Sequence, residues 1–195
     1  MTNWRTSPAA QGPIKRWLTA GGSLSVRLAS TGERFSVQVL RQGRAPLKPE
    51  EAVALGLGHK RTGYAREVLL RIDGVPVVFA RSVTAQHNAI GAWCAVQGLG
   101  SRPLADVLFK RSGISRQPLS FSSLARCSPM QRHAIKAWAK GIGTEVPDIA
   151  LHARKSVFVR QCATLLVMEV FIAQATSCPG LVSAKTIQPV WKELR

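Results

Sequence analysis

The chain predicts an α+β domain on an antiparallel sheet of about six strands, and three observations carry that expectation. Asp73-Gly74, the strongest short signal for a two-residue hairpin turn, joins runs 66–72 and 75–83, both rich in branched apolar residues. A second pair of such runs, 155–160 and 165–172, flanks a turn near 161–163. The helical stretches inserted between strands are short and closed by glycine or proline.

In chain order, residues 1–13 are polar and contain Pro and Gly, which predicts a loose start. Residues 13–18 predict a short helix stopped by Gly21-Gly22. Residues 23–28 leave two possibilities open: Ser23 can cap a helical turn, while the alternation also permits a strand. Residues 34–40 alternate well and predict a strand. Residues 49–55 carry acids in their first turn and close on Gly56 and Gly58, the pattern of a short helix. After the Asp-Gly hairpin, 89–97 reads as a helix broken by 98–103, and 104–109 as a second short helix. Residues 114–121 predict a strand in which Pro118 demands an edge or a bulge. Ser128-Pro129 opens a helix running to about Lys140, with Gly141 and Gly143 beyond it. The domain is thus expected over 17–172, between a loose segment 1–16 and a C-terminal extension 173–195.

Composition narrows the function classes. With 46% hydrophobic residues, wholesale disorder is excluded. The longest apolar stretch, 165–172, is far below the ~20 residues of a membrane helix. The start has no apolar core of a secretory signal, so a cytoplasmic protein without membrane insertion is expected. Cys94, Cys127, Cys162 and Cys178 form no Cys-x-x-Cys pair, and the four histidines lack metal-ligand spacing. Reduced thiols and no metal are the expectation. A net charge of +17 admits two functional readings, a nucleic-acid surface or an electropositive cleft for a small anion. It admits a third, a basic surface without function. The basic residues are spread along the chain and show no nucleic-acid-binding signature.

Two charged residues stand out from their surroundings. Glu169 sits in Leu165-Leu166-Val167-Met168-Glu169-Val170-Phe171-Ile172, where period-2 alternation puts it on one face with Leu165, Val167 and Phe171. Burying an isolated carboxylate costs several kcal/mol, so it must be paired, protonated or at a wet end. The plainest alternative is a strand-end glutamate that reaches water. Arg66 shares a face with Val68, Leu70 and Ile72, which again aims a charge at an apolar side. On residue type alone it is an ordinary strand-end arginine.

Several blocks taken together resemble the chorismate–pyruvate lyase family, which makes 4-hydroxybenzoate for ubiquinone. They are Gly22-Ser23-Leu24-Ser25-Val26-Arg27-Leu28, Arg66-Glu67-Val68-Leu69-Leu70 with its Asp-Gly hairpin, and Phe79-Ala80-Arg81-Ser82. Further on come Leu99-Gly100-Ser101-Arg102-Pro103-Leu104 with Leu108-Phe109, then Arg154-Lys155-Ser156, and 165–171. The resemblance implies an antiparallel sheet whose helices and flaps cover an internal ligand cavity. It implies that Arg66 holds the ring carboxylate of chorismate and that Glu169 faces the ring hydroxyl. Leu24 and Leu104 become ligand contacts on covering segments. Arg81 and Arg154 become candidates to support those residues or to stand at the cavity mouth, though by type they read as surface or packing arginines. Loss of pyruvate aromatises the ring, so no cofactor or metal is implied, and a monomer without a nucleic-acid partner is expected.

Two stretches depart from the family pattern. The family usually continues its glutamate strand as Phe-Leu-Pro and soon stops, whereas this chain reads Phe171-Ile172-Ala173-Gln174 and goes on to Arg195. The segment around 130–146 is also longer than in compact relatives. Two other functions compete: a non-catalytic sensor domain of the same fold, or a basic nucleic-acid-binding module. Sensors of this type normally follow a winged-helix domain, for which the residues before Trp17 leave no room.

Overall fold

The Asp73-Gly74 pair acts as its chemistry requires. In the computed structural model, which describes residues 2–58, 62–109, 112–143 and 151–171, both residues take positive φ, 49° and 82°. They join β2 (Thr62–Ile72) to β3 (Val75–Ala85) in a two-residue turn. The Asp73 carboxylate also accepts the Arg34 N–H at 2.7 Å, fixing the approach to β1 (Phe35–Pro46). That edge strand runs past the predicted 34–40. A bulge between Val39 and Arg41 interrupts its alternation, and its second half carries exposed Arg41, Gln42 and Arg44, so periodicity loses it there.

The expected strand 114–121 divides at Pro118, which has no N–H for a ladder, into β4 (Ser115–Arg116) and β5 (Ser120–Leu124). Both pair with β6 (Leu151–Arg160), which returns through Gln161-Cys162 into β7 (Ala163–Phe171). The result is a seven-stranded antiparallel sheet ordered β1-β2-β3-β7-β6-β4, with β5 also on β6.

Short helices cover both faces. On one lie α1 (Pro13–Thr19), α2 (Leu24–Ala29) and α5 (Ala105–Leu108). Trp17, Leu18, Leu24 and Leu28 there pack on Val68, Leu70 and Phe171. Ser23 settles the open choice at α2: its Oγ accepts the Val26 N–H at 3.2 Å, a helix cap. The other face takes α6 (Pro129–Ile142), capped by Ser128 and stopped by left-handed Gly143. Its Met130, Ala134 and Trp138 pack on Leu69, Phe79, Met168 and Val170. The same face takes α3 (Pro49–Ala54), whose buried Glu51 reaches Arg81 of β3. The continuous helix expected over 89–97 is two pieces, α4 (Gln86–Ile90) and a 3₁₀ turn (Cys94–Leu99), because Gly91 leaves the helical region at φ −93°, ψ −116°.

The segment ahead of α1 is held in place. Arg5 exchanges both backbone hydrogen bonds with Phe121 at 2.8 Å, completing the open edge of β5. Lys155 stacks over the Trp4 ring at 4.3 Å. The expected extension 173–195 lies outside the described residues. No helix among the described residues is long and apolar enough to cross a membrane.

Candidate functional site

Strand register assembles the site. Across β2, β3, β7 and β6, Arg66 faces Ser82, Ser82 faces Val167, and Val167 faces Ser156. The neighbouring row is Val68, Ala80, Glu169 and Arg154. Every one of these residues lines a single cavity beneath α2 and α5. Small side chains at Ala80, Ser82 and Ser156 leave a hollow between the charged ends. Counted together with the open space at its mouth, the hollow measures about 650 Å³. Arg66 and Glu169 are separated by two strand spacings, about 10 Å across the sheet.

Arg66 is buried and gives two hydrogen bonds from Nη2, to the carbonyls of Gly100 and Arg102, each 2.9 Å. Its Nε is also buried but meets no acceptor among the described residues. Burial pushes the guanidinium pKa down, Tyr64 pulls the other way, and no carboxylate among the described residues pairs with it. A buried cation with a spare donor beside an apolar hollow is a waiting anion site.

Glu169 is neither at a strand end nor unpaired. Its Oε2 accepts Arg154 Nε at 2.5 Å, from directly across the β6–β7 ladder. Arg154, 1% exposed, gives its Nη1 to the carbonyls of Trp17, Leu18 and Ala20 at 2.8–3.1 Å. It therefore ties the glutamate on the sheet to the segment leading into α2. An arginine that reads by type as surface or packing is the inner support of the acidic end. Leu24 at the first turn of α2 and Leu104 ahead of α5 close the cavity from above.

Arg81 lies elsewhere. Its neighbours Ala80 and Ser82 line the cavity, so its own side chain points through the sheet to the far face. There it grips Glu51 through two hydrogen bonds, 2.6 and 3.0 Å, and Glu67 at 2.5 Å. The reason is a bulge. An uninterrupted two-residue hairpin would pair Arg81 with Arg66 on one face, but the register shifts beside Pro76, Arg66 meets Ser82 instead, and Arg81 is turned over. His133 adds a 2.8 Å contact to Glu67 in this far-side cluster.

Sequence reasoning missed Arg116, which lines the same cavity. Its Nε donates to Ser156 Oγ at 3.1 Å, its Nη1 to the Gly22 carbonyl at 3.2 Å, and its guanidinium stacks on Phe158. In a chain with 27 basic residues nothing local marks it; the only signal is its place beside Pro118 on an edge strand.

The sheet and its covering helices enclose one arginine-rich cavity. The fold is shared with the C-terminal domain of PhnF, at TM-score 0.56 and 17% identity over 80% of this chain and 91% of that one. It is shared also with a GntR-family transcriptional regulator from Bacillus cereus, at TM-score 0.51 and 8% identity over 76% and 99%. Sequence goes further. Residues 3–177 match the profile of the chorismate lyase family. Proteins named probable chorismate pyruvate-lyase are similar along most of their length. One from Albidiferax ferrireducens is 54% identical over 89% of this chain and 88% of its own. One from Aromatoleum aromaticum is 44% identical over 88% and 91%. The chain belongs to the chorismate lyase family.

Proposed function

We propose that this protein eliminates pyruvate from chorismate to give 4-hydroxybenzoate, the product that feeds ubiquinone synthesis. The observation that carries the reading is the pairing of a donor-rich buried arginine and a carboxylate across one covered cavity. In the reaction the ring carbon–oxygen bond to the three-carbon arm breaks. The hydroxyl-bearing ring carbon loses its proton, the arm's methylene carbon gains one, and the ring becomes aromatic. Arg66 offers its free Nε edge to the ring carboxylate, a clamp that does not deprotonate at working pH. Glu169, held by Arg154, meets the ring hydroxyl at the other end. Leu24 and Leu104 seat the ring and keep water from it. No step requires a metal or redox cofactor.

The test is to mix purified protein with chorismate alone and follow both products. Stoichiometric 4-hydroxybenzoate and pyruvate are expected. Glu169→Gln should lower kcat by about 10²-fold, the lower end of general acid–base assistance, with KM changed far less. Saturable binding of 4-hydroxybenzoate without turnover would instead mark a sensor-like relative.

A further inference from the structure

The cavity holds more positive charge than a ring carboxylate and Glu169 neutralise. Arg66, Arg116 and Arg154 face it against a single carboxylate, leaving two charges uncompensated. Arg154 is committed to Glu169 and to three carbonyls. Arg66 and Arg116 have no carboxylate partner among the described residues. Arg116 is half-buried, bonded only to a hydroxyl and a carbonyl, and backed by the Phe158 ring. Burial lowers its pKa, the Arg154 charge lowers it further, and Glu169 pulls the other way. Arg116 sits on β4 beside β6, with its Nε on Ser156, at the Arg154 side of the cavity and with three strands between it and Arg66 on β2, as a cation that a second anionic group would relieve.

Resting on the lyase reading, we infer that Arg116 binds the second carboxylate of the substrate, the one on the departing three-carbon arm. The substrate is a dianion and its aromatic product a monoanion, so Arg116 discriminates between them. Arg66 meets the carboxylate that both share. Arg116 meets the one that leaves with pyruvate, so its charge is again uncompensated once the arm has gone. It is a substrate-binding residue on the face of the leaving group, supplied by β4.

Steady-state kinetics and product binding in Arg116→Gln and Arg116→Lys test this, with thermal midpoints recorded to confirm folding. For Arg116→Gln, KM for chorismate should rise on the order of tenfold or more, the scale of a lost charge-assisted pair. The Kd for 4-hydroxybenzoate should stay within about threefold. Arg116→Lys, which keeps the charge, should recover much of the KM. An unchanged KM in a folded Arg116→Gln protein would overturn the assignment. So would equal weakening of chorismate and 4-hydroxybenzoate, which would make Arg116 only a latch on the Gly22 segment. Wild-type protein that does not turn over chorismate would fail the underlying lyase reading instead, a result visible before any variant is made.

Discussion

The two faces of one sheet carry two buried charge clusters, and they are built to opposite ends. On the far face the Arg81 charge is fully paired: Glu51 takes two of its hydrogen bonds, Glu67 a third, and the Pro46 carbonyl a fourth. Its two carboxylates are satisfied in turn, Glu51 by the Lys48 N–H at 2.9 Å and Glu67 by His133. On the cavity face positive charge exceeds negative and a buried Arg66 donor is idle. A closed network holds a fold together; an open one is completed by a ligand. The difference sets a structural arginine apart from the one proposed to bind substrate, although both are equally buried, at 3% and 2% exposure.

Breaking the open cluster should cost most in function. Arg66→Ala should lower kcat/KM for chorismate about 10³-fold, some 4 kcal/mol, the range for one partner of a desolvated charge pair. Its stability should fall less than that of Arg81→Ala, because the Gly100 and Arg102 carbonyls lose a donor but no carboxylate is left unpaired. Arg81→Ala should do the reverse. It strands Glu51 and Glu67, so denaturant unfolding should show a loss of about 3 kcal/mol, while KM of the folded protein holds within about twofold.

A smaller effect comes from acid. Burial pushes the Glu67 pKa up, but His133 and Arg81 outweigh it and bring the carboxyl from 4.5 to about 2. A folded-state pKa below the unfolded one adds stability that is fully present above pH 4.5 and fades as pH falls toward 2. Such a shift corresponds to roughly 3 kcal/mol, and with solvent screening of the pair about 2 kcal/mol of it should disappear across that window in urea titrations. Glu67→Gln should flatten the slope there.

Much of this arrangement is legible in the chain, for reasons that can be named. Asp73-Gly74 announces one hairpin, and parity alone aims Arg66 and Glu169 at apolar faces. That the two meet one cavity with Leu24 and Leu104 came from family resemblance, since pairing across strands is invisible to periodicity. Arg154 and Arg81 show where local signals fail. The β6–β7 turn is Gln161-Cys162 with φ 50° and 61°, a two-residue turn without glycine. Placed only loosely near 161–163, it hides the register that sets Arg154 directly across from Glu169. For Arg81 the bulge beside Pro76 flips the face, and no residue type encodes which way. Arg116 sits on a two-residue strand, too short for any pattern.

The most direct test of the two-face account is the shift in thermal midpoint on adding saturating 4-hydroxybenzoate to wild type, Arg66→Ala and Arg81→Ala. A ligand that binds only the folded state raises the midpoint, by more the tighter it binds. A clear rise is expected for wild type, the same rise from a lower baseline for Arg81→Ala, and none for Arg66→Ala. A full rise in Arg66→Ala, or its loss in Arg81→Ala, would contradict it.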